Sequence, residues 1–75
     1  MDRISFHTYK YSIYRLSKNN DRVHLHQIIR YAEEVAKCTY HEDDIRNIRM
    51  ALEELSCQPL NGDNFDISSA GNYTV

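Results

Sequence analysis

The amino-acid sequence predicts an all-α protein of three short helices, at about residues 3–18, 21–37 and 40–56, followed by a flexible C-terminal tail. Apolar residues recur at helical spacing in all three segments. Residues that commonly cap helices stand near the start of the last two segments. Both glycines and the single proline of the 75-residue chain lie beyond residue 58. The composition therefore divides the chain into a helical domain, residues 1–57, and a tail, residues 58–75.

The first segment, residues 3–18, allows two interpretations. One narrow helical stripe contains Phe6, Tyr9, Ile13 and Leu16. The same segment is rich in β-branched and aromatic residues, which favour strands. A strand would need a partner, and only the region at residues 65–68 offers one. We expect a helix, because this stripe matches those of the other two segments in length and spacing.

The second segment, residues 21–37, has the clearest amphipathic pattern. Its apolar residues recur at helical spacing and are Leu25, Ile28, Ile29, Ala32, Val35 and Ala36. Asn20 or Asp21 is the expected N-cap, because a short side-chain acceptor satisfies backbone N–H groups that have no partner within a helix. The sequence thus predicts a helix that begins directly after this cap.

The third segment, residues 40–56, shows an apolar stripe with steps of three, four and three residues. The stripe consists of Ile45, Ile48, Leu52 and Leu55. Thr39 followed by Glu42 indicates a capping box, and Asp43 and Asp44 place negative charge where the helix dipole favours it. Because the connection at residues 37–40 is short, we expect the last two helices to form an antiparallel hairpin.

The small size of the chain suggests self-association or a partner protein. A domain of this length buries only about 60% of its unfolded surface, and Cys38 and Cys57 are expected to be free thiols in a reducing cytoplasm. Two hairpins that pack their apolar stripes would form a four-helix homodimer. The residues expected in this core or dimer contact are Ile28, Ile29, Ile45, Ile48, Leu52 and Leu55.

The formal net charge of −2 conceals an uneven distribution. Residues 1–30 contain six basic and two acidic residues, whereas residues 31–75 contain three basic and nine acidic ones. One interpretation is internal complementarity, in which a basic helix packs beside an acidic one. The other is a docking surface for a charged partner. Both interpretations remain open from the sequence.

Three of the six tyrosines, Tyr9, Tyr11 and Tyr14, lie in the basic first part of the chain, and Tyr31 follows it directly. Lys10, Tyr11, Tyr14 and Arg15 are our candidate partner-binding residues, because Tyr and Arg are frequent hot spots of protein interfaces. The same tyrosines could instead cover the edge of a small core. We therefore expect a small non-enzymatic protein-protein interaction module, a cytosolic regulator, inhibitor or accessory factor of bacterial or phage type. The alternative is a nucleic-acid-binding regulator that uses this basic, Tyr-rich segment.

The remaining motifs do not predict catalysis, a metal or a cofactor. Cys38 and His41 have the spacing of metal ligands, but a second close ligand pair is lacking. His24 and His26 would point in different directions on a helix. The sequence has no glycine-rich phosphate loop and no apolar run long enough to span a membrane. We therefore expect a cytoplasmic protein that is not an enzyme.

Overall fold

The computed structural model describes residues 2–74, and within them the chain forms three α-helices and one three-stranded antiparallel sheet. The predicted all-α fold class is therefore wrong, and so is the description as a helical bundle. The helices are α1 (Phe6–Leu16), α2 (Leu25–Ala36) and α3 (Ile45–Glu54). The strands are β1 (Arg22–His24), β2 (Gln58–Pro59) and β3 (Asn64–Asp66), and 3-10 turns lie at Glu42–Asp44 and Ser68–Asn72.

Helix α1 resolves the ambiguity of the first segment. It begins after Ser5, whose hydroxyl oxygen accepts a hydrogen bond of 3.1 Å from the backbone N–H of Thr8. Tyr9 and Ile13 lie one helical turn apart and are both fully buried. This helical burial pattern, together with the serine cap, outweighs the strand propensity of the β-branched and aromatic residues.

The second predicted helix begins later than expected, because residues 22–24 form strand β1. This strand pairs antiparallel with β3, and Val23 lies opposite Phe65. Neither Asn20 nor Asp21 is the N-cap. That position belongs to His24, whose Nδ1 atom accepts a hydrogen bond of 3.0 Å from the backbone N–H of His26.

The C-terminal segment is folded, so the predicted flexible tail is wrong. Strand β3 lies at the centre of the sheet, between β1 and β2. The β2–β3 hairpin turns at Gly62, whose φ of +61° is a conformation that glycine adopts without steric cost. Phe65 and Ile67 both face the core, as expected for alternate residues of an extended chain. Burial of these apolar side chains accounts for the order of the segment.

Helix α1 packs between α2 and α3, which contact α1 far more than each other. The prediction that the last two helices pair as an antiparallel hairpin is therefore wrong. Helix α2 ends before Lys37, which adopts a left-handed conformation (φ 57°), and seven further residues precede α3. An apolar stripe shows which face of a helix is buried but does not show which helix it meets.

The core contains residues from every helix and from the sheet. Its buried apolar members are Ile4, Tyr9, Ile13, Val23, Ile28, Ala32, Ile48, Ala51, Leu52, Leu55, Cys57, Phe65, Ile67 and Ala70. Within residues 2–74, none of the helices is both long and apolar enough to cross a membrane.

Candidate functional site

Asp44 is the only acidic side chain among the buried residues of the described chain, and three groups donate hydrogen bonds to it. Its side chain is 2% exposed. The hydroxyl of Tyr9 donates to Oδ2 over 2.8 Å, and the Arg3 guanidinium donates to Oδ1 over 2.8 Å. The backbone N–H of His41 donates to Oδ2 over 3.1 Å. Asp44 thus connects the N-terminal segment, α1 and the turn that precedes α3.

The environment of Asp44 keeps its carboxyl group ionised. Burial alone would raise the pKa of this carboxyl, but the hydrogen bonds from Arg3, from the His41 backbone and from Tyr9 together lower it below its usual value. Burial raises the pKa of Tyr9, and the hydrogen bond to this carboxylate raises it further, far above its ordinary value. The cluster is therefore an ionised carboxylate held by neutral and cationic donors.

This cluster has the features of a structural site. Across residues 2–74, every buried side-chain nitrogen and oxygen has a hydrogen-bond partner. Asp44 lines neither the pocket beside Arg49 nor the cleft beside Arg22. The sequence indicated only a favourable dipole interaction for Asp44. Its contact with Tyr9 joins residues 35 positions apart, so local spacing contained no signal for it.

All four predicted contact residues lie on α1, but their side chains do not all point the same way. They are Lys10, Tyr11, Tyr14 and Arg15. Lys10 is directed towards α3, where its Nζ atom pairs with Glu54 Oε1 at 3.1 Å. Tyr11 and Arg15 are exposed, and Tyr14 is half-buried. The structure therefore brings three of the four residues to one outward surface and uses the fourth to link two helices.

We define the α1 face as the outward arc of this helix and the turn that follows it. Its members are His7, Tyr11, Tyr14, Arg15 and Lys18. The Arg15 guanidinium lies 6.0 Å from the centroid of the Tyr11 ring, and the Lys18 ammonium lies 4.4 Å from that of Tyr14. A cation within about 6 Å of a ring centroid is attracted by the negative face of the ring. The α1 face thus presents basic groups that lie beside aromatic rings.

The charge asymmetry of the sequence is partly neutralised inside the molecule. Arg3 and Lys10 form ion pairs with Asp44 and Glu54. Arg15 and Lys18, in contrast, form no ion pair with any group in residues 2–74. Internal complementarity therefore accounts for Arg3 and Lys10 but not for Arg15 and Lys18.

The apolar residues that were expected in the core or in a dimer contact are mostly buried within a single chain. Ile28, Ile48, Leu52 and Leu55 are buried in the core, and Ile29 is half-buried against it. Ile45 is half-buried. A homodimer would therefore have to use other surfaces.

The histidines and cysteines do not converge on one point. The described chain, residues 2–74, contains no group of three or more His, Cys, Asp or Glu side chains that could hold a metal ion. The rings of His24 and His26 are closer than a helix would place them, with centroids 4.7 Å apart, because His24 precedes α2. Cys38 and Cys57 are free thiols, and burial raises the pKa of Cys57 to about 11.

Two depressions lie near the sheet. A pocket of about 150 Å³ between α3 and strands β2 and β3 is lined by Arg49, Leu52, Glu53, Cys57, Pro59 and Phe65. A more open and more polar cleft of about 370 Å³ lies beside Arg22, Leu60, Asn61 and Asn64. The sequence indicated neither, because both depend on strands β2 and β3.

No protein-family model, no curated protein and no solved structure matches this chain.

Proposed function

We propose that this protein is a small non-enzymatic interaction module that binds an acidic surface of a partner protein through the α1 face. The observation that carries the proposal is the pair of cations on this face, Arg15 and Lys18, which lack an ion-pair partner within residues 2–74 and lie against tyrosine rings. Tyr and Arg are enriched among the residues that dominate binding energy at protein interfaces.

The sequence around the α1 face favours an acidic partner. From Arg3 to Asn20 the chain contains no Asp or Glu. Since Arg3 and Lys10 are neutralised internally, the potential outside the helix comes mainly from Arg15 and Lys18. A local positive potential steers an oppositely charged partner and sets its orientation.

A protein partner fits this surface better than a nucleic acid does. Two unpaired cations are few for a surface that must follow a phosphate backbone, and the sequence pI is about 6.0. A stacking platform also needs accessible aromatic faces. Here Lys18 covers one face of Tyr14, and Arg15 lies beside the Tyr11 ring.

The same proposal treats the protein as a cytoplasmic regulator or accessory factor without catalytic activity. Its two thiols are a half-buried one, Cys38, and a buried one, Cys57, whose raised pKa disfavours the nucleophilic thiolate. Self-association through a surface other than the core stripe remains part of the proposal.

Affinity capture from the source cells tests the proposal with two matched variants. The double variant Tyr11→Ala/Arg15→Ala removes one cation–π pair from the α1 face. The control Arg46→Ala/Met50→Ala removes one exposed cation and one exposed apolar side chain from α3. Thermal unfolding establishes that both variants fold. We expect the control to retain a nuclease-resistant protein partner and the α1 variant to lose it.

The captured partner is then purified and titrated by calorimetry. Loss of one hot-spot pair is expected to weaken binding by at least about tenfold. Retention of the same partner by the α1 variant with unchanged affinity would exclude the α1 face as the contact. The parent protein could instead shift single-stranded or duplex oligonucleotides in a gel at low salt, and the α1 variant could fail to do so. That result would indicate that the partner is a nucleic acid and not a protein.

A further inference from the structure

The pocket between α3 and strands β2 and β3 combines an apolar floor with two opposite charges at its rim. Leu52, Cys57 and Phe65 form the floor, and all three belong to the buried core. Arg49 and Glu53 lie at the rim, on the outward face of α3. A ligand here would therefore meet apolar side chains below and charged side chains above.

The two charged rim residues lie one helical turn apart, which separates their Cβ atoms by about 6 Å. Within residues 2–74, neither side chain has an ion-pair or hydrogen-bond partner, and they do not pair with each other. A guanidinium and a carboxylate are therefore both available at the mouth of the same pocket.

The size of the pocket limits what it can hold. Sites for cofactors and drug-sized molecules usually measure about 300–1,000 Å³, whereas this pocket measures about 150 Å³. An apolar cavity of about this size accommodates one benzene ring. The pocket therefore fits a single leucine-sized or phenyl-sized side chain.

We propose that this pocket binds the C-terminal apolar residue of a partner polypeptide. The apolar side chain enters the pocket, the terminal carboxylate accepts hydrogen bonds from Arg49, and the backbone N–H of the same residue donates to Glu53. Only the last residue of a chain combines an apolar side chain with both a carboxylate and an amide N–H. The charges at the rim are complementary to this combination.

The site is independent of the α1 face, because it uses α3, β2 and β3 and includes no residue of α1. Arg46 provides a matched control. It is exposed one turn before Arg49 on the same helix but does not line the pocket.

Nuclear magnetic resonance titration with acetyl-Gly-Gly-Leu tests the proposal. We expect saturable shifts of the backbone amide signals of Leu52, Cys57 and Phe65, with a dissociation constant of about 1 mM for so small a probe. The same peptide with a C-terminal amide should bind at least about tenfold more weakly, because it lacks the carboxylate. Arg49→Gln should have the same effect, whereas Arg46→Gln should leave binding unchanged.

A second measurement avoids any change to the pocket. In a Cys38→Ser variant, about 9 mM acetyl-Gly-Gly-Leu should slow modification of Cys57 by a thiol reagent about tenfold. The peptide amide at the same concentration should slow it by no more than about twofold. The proposal is overturned if no saturable shift occurs, or if the amide binds as tightly as the acid. It is also overturned if free leucine binds more tightly than the peptide, which would indicate an amino-acid site.

Discussion

The hydroxyl of Tyr9 donates a 2.8 Å hydrogen bond to the buried carboxylate of Asp44, which lies 35 residues further along the chain. Tyr9 belongs to α1 and is fully buried, whereas Asp44 ends the 3-10 turn that leads into α3. Arg3 and the His41 backbone donate to the same carboxylate. One side chain therefore sets the position of the N-terminal segment and of α3 relative to α1.

The Tyr9→Phe variant tests this contact with almost no change in volume. It leaves Asp44 with one donor fewer, so we expect the free energy of unfolding to fall by about 1–2 kcal/mol. Urea denaturation measures the change. Tyr14→Phe is the matched control, because the Tyr14 hydroxyl forms no hydrogen bond within the described residues, and its effect should stay below about 0.5 kcal/mol. Equal effects of the two variants would contradict a specific role for Tyr9.

Acid should remove the contribution of Asp44 to stability. Hydrogen bonds hold its folded-state pKa below the usual value. Such a group stabilises the fold above its unfolded-state pKa of about 3.9, and the contribution disappears as the pH falls through the lower folded-state pKa. We expect Asp44→Asn to lower the free energy of unfolding by about 2 kcal/mol at pH 7. The difference from the parent protein should shrink steadily below about pH 4.

The comparison is made by urea denaturation from neutral to acidic pH. Asp43→Asn serves as the control, since the Asp43 carboxylate is exposed. A constant difference between the parent protein and Asp44→Asn over the whole range would contradict an ionised, hydrogen-bonded Asp44.

Sequence periodicity predicted the helices better than it predicted their partners. The apolar stripes at Ile28 and Ile48 do face the core, but both helices pack on α1. Strand β1 is only three residues long, and its partner β3 lies about 40 residues further along the chain. So short a strand has no periodicity of its own, and its stability comes from the long-range pairing. The turn propensity of the C-terminal segment did not show that two of its apolar residues, Phe65 and Ile67, are buried.

The two candidate surfaces differ in what the sequence indicates about them. Tyr11 and Arg15 were proposed as contact residues from residue type alone, because Tyr and Arg are frequent hot spots of protein interfaces. The pocket beside Arg49 could not be found in this way. It exists only because β2 and β3 pack beside α3. Likewise the ion pair of Lys10 with Glu54 depends on the packing of α1 against α3.

The imidazole of His24 acts as a helix cap. Its Nδ1 atom accepts from the His26 backbone over 3.0 Å, and the Gln27 side chain accepts from the His24 backbone over 2.8 Å. His24→Ala should therefore lower the free energy of unfolding by about 1 kcal/mol, the usual effect of losing an N-cap. His24→Asn should retain most of the stability, because an asparagine oxygen can replace the acceptor. Thermal unfolding distinguishes them.

The neighbouring His26→Ala variant is the control for His24. The His26 imidazole is exposed and has no hydrogen bond within residues 2–74, so its removal should change stability by less than about 0.5 kcal/mol. If His24→Ala and His26→Ala were equally destabilised, the capping role of His24 would be wrong.

The two thiols should differ strongly in reactivity. Burial raises the pKa of Cys57 to about 11, so the reactive thiolate is a very small fraction of this group at pH 8. Cys38 is half-buried. We expect a maleimide or disulfide reagent to modify the Cys57→Ser variant, which retains Cys38, at least about tenfold faster than the Cys38→Ser variant. In denaturant both variants should react at similar rates. Fast modification of Cys57 in the folded protein would show that its environment is not apolar.

Ile67 tests whether the C-terminal segment is an integral part of the core. Its side chain is fully buried, and its backbone N–H donates to the Asp21 carbonyl over 2.8 Å. Ile67→Ala should lower the free energy of unfolding by about 2–5 kcal/mol, through lost burial and the cavity left behind. Leu60→Ala, in the same segment but 40% exposed, should lower it by less than about 1 kcal/mol. Ile67 lies outside residues 1–57, which were predicted to form a separate helical domain. If Ile67→Ala greatly lowers the free energy of unfolding and Leu60→Ala does not, the sheet and the helices unfold together. Similar small effects of both substitutions, measured by urea denaturation, would instead mean that the helices are stable without it.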